Sequence, residues 1–184
     1  MHFCSHCGSD RLVRRVPEGD NRPRIVCESC ETIHYQNPKI VTGCLPVWKD
    51  RVLLCRRAIE PAYGLWNIPS GYLENGESVE EGAKREVWEE AEAKVKIDYL
   101  ITLYNLHKVN QLYLQFVGQL EGGEYGIGTE SLECRLFAED EIPYDDMAFT
   151  SSAYTLRAYF QDRRKTTRKL YRGSYPETSP VTDR

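Results

Sequence analysis

The spacing of apolar and polar residues predicts alternating strands and helices along most of this 184-residue chain. Residues 40–48 and 51–57 are apolar runs on either side of the polar pair Lys49-Asp50, a pattern typical of a β-hairpin. Three later segments also have strand character: 95–106, 111–120 and 131–138, the last with Leu132, Cys134 and Leu136 on one face. A second helix is predicted over residues 146–161. This order predicts an α+β domain with a mixed sheet between helices.

The first helix has a clear start signal. The chain approaches it through Pro69, Gly71 and the Asn75-Gly76 pair, residue types that favour turns and, for glycine and asparagine, tolerate positive φ. Ser78 and Glu81 then have the spacing of a capping box, in which each side chain satisfies a backbone N–H at the helix start. The helix is therefore expected to begin directly after Ser78.

Three carboxylates share one face of this helix: Glu86, Glu89 and Glu90, within roughly a 100° arc at 3.6 residues per turn. An apolar stripe beside them would hold the helix against a sheet; it consists of Val79, Ala83 and Val87. Carboxylates anchored beside a core suit magnesium or manganese, which prefer oxygen ligands. The alternative is a solvated acidic face without any ligand.

The spacing around this helix is more specific than its charge. Gly71 is followed after five residues by Glu77, and after seven more by residues 85–90, Arg-Glu-Val-Trp-Glu-Glu. Up to its last glutamate this pattern resembles the signature of the Nudix hydrolases, G-x5-E-x7-R-E-U-x-E-E-x-G-U. Glu92 and Ala93 stand where that family has glycine and an aliphatic residue, so the end of the helix is left open.

The resemblance implies a Nudix α/β/α sandwich and the metal-dependent hydrolysis of a pyrophosphate bond. It implies that Glu86 and Glu90 are the principal magnesium or manganese ligands, with Glu89 and the Gly71 carbonyl contributing. Glu77 would be a lesser ligand or a partner of Arg85, which is expected to orient Glu77 and the loop. The general base is open between Glu86 or Glu89 and the later Glu130 or Glu133; Glu130 is favoured as a metal-binding or water-positioning residue.

Two C-x2-C pairs near the N-terminus predict a structural zinc site formed by Cys4, Cys7, Cys27 and Cys30. Disulfides or a redox pair are the alternatives, but no thioredoxin-like pattern surrounds these residues and seven cysteines leave one unpaired. Strand character at 11–15 and 24–26 completes a zinc ribbon. The other three cysteines lie in apolar runs and are expected to pack in the core: Cys44, Cys55 and Cys134.

Composition adds limits on partners and location. A formal charge of −4 and a pI near 5.7 argue against nucleic acid or an anionic membrane as the partner. No transmembrane or signal segment is apparent, which predicts a cytoplasmic protein. We expect a zinc ribbon over residues 1–34, a Nudix domain over 35–162 and a basic, flexible tail over 163–184.

Substrate contacts are predicted from residue chemistry. Arg56 and Arg57 suit phosphate, and Tyr63 and Trp66 could stack on an adenine or flavin ring. The ribbon and flanking motifs resemble the bacterial and plant-plastid Nudix pyrophosphatases that act on ADP-ribose and FAD, which implies a nucleotide-sugar or dinucleotide substrate. The motifs are Tyr35-Gln36-Asn37-Pro38-Lys39, Leu54-Cys55-Arg56-Arg57, Gly64-Leu65-Trp66, residues 130–137 and Glu141-Ile142-Pro143.

Two alternatives stay open. NADH pyrophosphatases also carry a zinc ribbon, but they place an S-Q-P-W-P-F-P-x-S array after the signature, whereas residues 105–116 here are N-L-H-K-V-N-Q-L-Y-L-Q-F. A non-enzymatic, nucleic-acid-binding role would use the basic face of the ribbon, formed by Arg11, Arg14, Arg15, Arg22 and Arg24. The ribbon is otherwise expected to shape the substrate cleft or form a homodimer interface.

Overall fold

The structure is a computed structural model that describes residues 1–175. The chain divides after Asn37 into two compact units, so the first unit runs past the predicted boundary at residue 34. Within the described residues, neither helix combines the length and apolar content needed to cross a bilayer.

The N-terminal unit is a three-stranded sheet with two cysteine knuckles. Strand β1 (Leu12–Arg15) pairs antiparallel with β2 (Arg24–Cys27), and β2 pairs with β3 (Ile33–His34). The ribbon strands are thus confirmed. The short strand β3 lies in a segment that the sequence predicted to be a connector, and its two residues give too little pattern to identify a strand.

The second unit contains an eight-stranded mixed sheet, which confirms the predicted fold class. Its strands are β4 (Lys39–Trp48), β5 (Arg51–Arg57), β6 (Trp66–Asn67), β7 (Ser70–Tyr72), β8 (Val95–Leu106), β9 (Gln111–Leu120), β10 (Ser131–Phe137) and β11 (Tyr171–Ser174). The main order is β10-β5-β4-β9-β8-β11, with β6 paired to β5 and β7 paired to β4. The β4/β9 and β8/β11 pairs are parallel and the others antiparallel.

Two helices cover opposite faces of this sheet. Helix α1 (Val79–Ala91) packs its buried Ala83 and Val87 in one apolar cluster with Cys44 of β4. Helix α2 (Thr150–Asp162) packs in a second cluster with Leu45, the next residue of β4. Successive side chains of a strand point to opposite faces, so the two clusters lie on the two sides of the sheet. The predicted sandwich follows from this alternation.

Three details differ from the sequence prediction. Leu132 is 41% exposed, because a register shift between Ser131 and Glu133 breaks the alternation of β10. Helix α2 begins at Thr150 instead of residue 146, after short 3-10 turns. The tail predicted to be flexible from residue 163 contains strand β11, which pairs in parallel with β8. This pairing gives β11 backbone partners that its polar sequence does not reveal. Residues 176–184 of the tail lie outside the described part.

The three cysteines predicted to pack in the core are buried. Cys44 and Cys55 are fully inaccessible and Cys134 is 8% exposed. Burial also raises the pKa of the Cys44 thiol, which keeps it in its neutral form.

Helix α1 begins and ends with identifiable caps. Ser78 is its N-cap and forms the predicted capping box with Glu81. At the other end Glu92 takes the left-handed conformation, with φ 49° and ψ 31°, and its N–H donates to Trp88 O. Two glycines of a later loop satisfy further carbonyls: Gly126 N donates to Ala91 O at 2.6 Å and Gly128 N to Glu90 O at 3.0 Å. A residue other than glycine therefore ends this helix, and its positive φ strains the backbone.

Replacing Glu92 with glycine is expected to stabilise the protein. Removing the left-handed penalty of a Cβ gains roughly 1–2 kcal/mol, of which part is lost to the greater unfolded-state entropy of glycine, leaving about 0.5–1 kcal/mol. Urea unfolding would measure the difference. Glu92→Ala is the matched control, because it removes the same carboxylate but keeps the Cβ; an equal gain in both variants would contradict the conformational explanation.

Candidate active site

Strand β7 brings the backbone of Gly71 against the acidic face of α1. Gly71 pairs with Thr42 of β4, and a Cβ at Gly71 would lie 2.5 Å from Cδ of Glu86. No real side chain tolerates such a contact, so only glycine leaves room for the Glu86 carboxylate. The sequence predicted a turn at Gly71. That prediction was wrong: the residue is needed for close approach within a strand.

Glu86 and Glu90 are unusual carboxylates because they are almost fully buried, at 6% and 4% exposure. Glu90 Oε1 accepts a hydrogen bond from Ser70 N at 3.0 Å. Desolvation nevertheless raises the pKa of Glu90 to about 8, and it also raises the pKa of Glu86. A cation bound beside these two buried acids would offset the energetic cost of ionising them.

Arg85 is the centre of an ion-pair network beside these acids. Its Nε and Nη2 donate to the two oxygens of Glu77 at 3.0 and 2.8 Å, and its Nη1 donates to Glu86 at 2.7 Å and to Glu89 at 3.0 Å. A fifth bond runs from Nη2 to Tyr72 O at 3.0 Å. A guanidinium has five N–H donors, so these bonds use its donor capacity. The same contacts lower the pKa of Glu77 to about 2.

A cleft of about 480 Å³ opens in front of this network. It is lined by Val41, Arg57, Ile59, Glu60, Pro61, Ser70, Gly71, Tyr72, Glu74, Arg85, Glu86, Glu89, Gln111, Tyr113, Glu130 and Phe149. Five carboxylates and two arginines face the same space, and one of those arginines is already fully engaged. The donor set therefore fits hard divalent cations, which accept carboxylate oxygens and offset negative charge.

Arg57 is the other cation of the cleft. It is only 8% exposed, and its Nε donates to Pro61 O at 2.9 Å. Its guanidinium carbon lies 5.0 Å from the centre of the Phe149 ring. These contacts fix the side chain and leave its terminal nitrogens for an anion.

The four ribbon cysteines form a separate candidate metal centre in the N-terminal unit. Their sulfur atoms all lie within 4.8 Å of one another, with Cys4 Sγ 3.7 Å from Cys30 Sγ and Cys7 Sγ 3.6 Å from Cys27 Sγ. Zn–S bonds of about 2.3 Å in a tetrahedron give S–S edges of about 3.8 Å, so the arrangement fits zinc. None of the four is in a disulfide, which removes that alternative.

Comparison with known proteins agrees with this geometry. A family model described as "NUDIX domain" matches residues 37–159, and one described as "Nudix N-terminal" matches residues 2–36. The chain belongs to the Nudix family. This places the α1 carboxylates and the glycine of β7 in a Nudix domain that follows a zinc ribbon.

Several relatives of this Nudix chain are characterised by name or structure. A crystal structure of a NUDIX hydrolase from Nitrosomonas europaea is 45% identical, covers 95% of this chain and 98% of its own, and superposes with a TM-score of 0.90. The NAD-capped RNA hydrolase NudC of Chromobacterium violaceum is 31% identical over 66% of this chain and 44% of the relative. The ADP-ribose pyrophosphatase of Methanocaldococcus jannaschii is 26% identical over 59% and 67%, respectively.

The chain spans about half the length of the NudC relatives that it matches, with 44% of the first and 56% of the second covered.

Some predicted substrate-binding residues of the Nudix domain lie away from the cleft. Arg56 donates to Gly64 O at 2.8 Å and lies 4.0 Å from Glu133. Tyr63 is 58% exposed and is absent from the cleft lining. Trp66 packs edge-on to a core ring, that of Phe137, at a centroid distance of 4.9 Å. The structure therefore does not bring these predicted residues to the acids, whereas it does bring Arg57 and Glu130 there.

Other cleft residues escaped the sequence analysis. Tyr113 OH donates to Gln111 Oε1 at 3.2 Å, and Gln111 Nε2 donates to Tyr72 OH at 2.8 Å. The Lys39 ammonium lies 4.8 Å from the Tyr72 ring centre. Tyr72 could have been found from its place beside Gly71. The residues of β9, and Phe149 before α2, reach the cleft only through the tertiary fold.

Replacing Glu90 with glutamine is expected to stabilise the protein at pH 8 when no magnesium or manganese is added. Between pH 4.5 and about 8 the unfolded chain has an ionised Glu90 while the folded one holds the proton, so stability falls as pH rises through this window. At ~1.4 kcal/mol per pKa unit, glutamine should gain about 2–4 kcal/mol at pH 8 and little near pH 4.5.

Urea unfolding across this pH range measures the gain. Glu89→Gln is the control, because its side chain is 49% exposed and its replacement leaves the buried Glu90 in place. Parallel stability curves for wild type and Glu90→Gln would refute the explanation by desolvation.

Proposed function

We propose that this chain hydrolyses the pyrophosphate bond of a nucleoside diphosphate linked to a second group. ADP-ribose would yield AMP and ribose 5-phosphate, and FAD would yield AMP and FMN. The observation that carries the proposal is the pair of buried carboxylates, Glu86 and Glu90, held against β7. Glu86 lines a cleft that also presents Arg57, and Ser70, whose N–H donates to Glu90, lines the same cleft.

The proposed catalytic ions are magnesium or manganese. Glu86 and Glu90 would be their principal ligands, supported by Glu89 and the Gly71 carbonyl. Glu77 is assigned to Arg85, because both of its oxygens already accept from that guanidinium. When bound, such ions lower the pKa of coordinated water and neutralise phosphate oxygens.

The protein groups have distinct roles in this proposal. Ser70 N–H holds one oxygen of Glu90, while Arg85 holds Glu86 and Glu89. Glu89 and Glu130 both line the cleft, so either can take the proton of the attacking water. We assign Glu130 to metal binding or water positioning, since its carbonyl accepts from Ala58 N at 2.8 Å and fixes its place at the cleft wall.

Charge supports a diphosphate diester over a nucleoside triphosphate. Arg57 is the one cleft arginine with free donors among the described lining residues, and it faces five carboxylates. A diester of pyrophosphoric acid carries less negative charge than a triphosphate, so it requires fewer compensating cations. The aromatic side chains of Tyr72, Tyr113 and Phe149 add surfaces that suit a planar ring.

A second candidate is pyrophosphate hydrolysis of NADH or a related nicotinamide dinucleotide. The similarity to proteins named NAD-capped RNA hydrolase favours it. The missing aromatic array after the signature weighs against it.

The ribbon is assigned a structural zinc ion, because four clustered thiolates leave no open coordination position.

Parallel assays on ADP-ribose, FAD and NADH with magnesium test the proposal. We expect ADP-ribose or FAD to have the highest kcat/KM; a clear preference for NADH would select the second candidate.

Glu90→Gln should lower turnover about 100-fold or more, beyond the loss typical of a group that only orients a ligand. Loss of metal affinity in Glu130→Gln but not in Glu89→Gln would support the assignment of Glu130.

Near wild-type turnover in Glu90→Gln would contradict the proposed site. Absence of metal-dependent turnover on all three substrates, together with salt-dependent RNA or DNA binding, would favour the nucleic-acid-binding alternative instead.

Arg57 and Arg56 form a matched pair for testing phosphate binding. Arg57→Leu is expected to raise KM about 10-fold or more, because it removes the charge-assisted contact to the substrate phosphate. Arg56→Leu should leave KM within about 2-fold, since its side chain contacts Gly64 and Glu133 instead of the cleft. Steady-state kinetics with circular dichroism as the fold check provide the measurement. Equal effects at the two positions would refute the role of Arg57.

A further inference from the structure

A chain of hydrogen bonds runs from α2 to the proposed metal ligand Glu90. Ser152 Oγ donates to Asn67 Oδ1 at 2.6 Å, and Asn67 Nδ2 donates to Ser70 Oγ at 3.3 Å. Ser70 Oγ donates in turn to Ile68 O at 2.9 Å, while Ser70 N donates to Glu90 Oε1 at 3.0 Å. The first turn of α2 is thereby connected to a carboxylate on the opposite helix.

Because these hydrogen bonds are buried, they restrict the position of Ser70. Asn67 is fully inaccessible and Ser152 is 1% exposed, so neither group can exchange its partner for bulk water. A buried amide that loses a partner incurs a desolvation cost, which favours the one arrangement that satisfies both ends. Asn67 therefore holds Ser70 in a single position.

The backbone around Ser70 depends on such contacts because it has little regular structure of its own. Strand β6 contains two residues and β7 three. A Cβ at Gly43 would lie 2.5 Å from Pro69 O, so the segment also passes very close to β4. Ala148 N, just before α2, donates to Trp66 O at 2.8 Å. The segment is thus fixed between β4 and the start of α2.

We propose that Asn67 is a positioning residue that sets the orientation of Glu90 for the divalent cation, with Ser152 completing its support. The proposal rests on the proposed function, because it needs Glu90 to bind metal. A group that hydrogen-bonds to a metal ligand typically contributes 10- to 100-fold to metal affinity; here that group is Ser70 N–H, and Asn67 acts through Ser70. Ser152 is further from the ligand, and we expect a contribution of about 3- to 10-fold.

Manganese binding to the full chain without substrate tests this directly, with the free Mn²⁺ signal followed by electron paramagnetic resonance. Ser152→Ala should raise the Kd about 3- to 10-fold. The matched control is Ser151→Ala, on the preceding residue of α2. Ser151 is also fully buried, but its Oγ has no hydrogen-bond partner within residues 1–175, so the Kd should stay within about 2-fold.

A variant at the centre of the chain gives a stronger test. Asn67→Leu keeps a similar volume but loses both hydrogen bonds, and it should raise the Kd about 10-fold or more. At saturating metal, KM for the nucleotide should remain near the wild-type value in Ser152→Ala, since the cleft side chains are unchanged. Thermal unfolding identifies a variant that fails to fold, and the Ser152/Ser151 comparison then decides.

The outcomes separate the two levels of the proposal. Equal Kd values for Ser152→Ala and Ser151→Ala, with normal binding in wild type, would overturn the role of the Asn67 chain alone. Wild-type protein that binds no Mn²⁺ up to millimolar concentration would overturn the proposed metal site together with this inference.

Discussion

The close contact between strand β7 and helix α1 is the constraint on which the active-site geometry depends. A Cβ at Gly71 would lie 2.5 Å from Cδ of Glu86, and Ser70 N donates to Glu90 Oε1. Two carboxylates are therefore buried at the edge of a core, where desolvation raises their pKa values. Isolated acids in such a place are costly, so a structure that retains them favours a cation as their partner.

The rest of the domain can be understood as support for that contact. The apolar stripe of α1 packs on one face of the sheet, and Arg85 connects the loop before the helix to its acidic face. On the other face, Ser152 of α2 donates to Asn67, and Asn67 donates to Ser70 of β7. Small changes on either side of the sheet would therefore alter the geometry of Glu86 and Glu90, the proposed metal ligands.

Much of the fold and of the candidate site was predictable from the sequence, because these features depend on local sequence signals. The capping box at Ser78 and the hairpin at Lys49-Asp50 follow from patterns within a few residues. The acids of α1 and the cysteine pairs were identified by spacing alone. These features share a property: the chemistry that defines them lies within one element or one loop.

The features that sequence alone does not predict concern tertiary contacts. Trp66 was predicted as a residue that could stack on a substrate ring, and the fold places its ring edge-on to Phe137. Gly71 was assigned to a turn, yet the approach of Glu86 from another element explains it. Phe149 reaches the cleft only because α2 folds back across the sheet. Glu92 could not be judged from sequence either, since the glycine loop that satisfies the helix carbonyls lies more than 30 residues later.

A crystal of the protein soaked in manganese would show where the divalent cation binds. We predict an anomalous difference peak with Glu86 and Glu90 oxygens at coordination distance, on the cleft side of β7. A peak confined to exposed acids elsewhere, or no peak beside Glu86 and Glu90 at millimolar manganese, would contradict it.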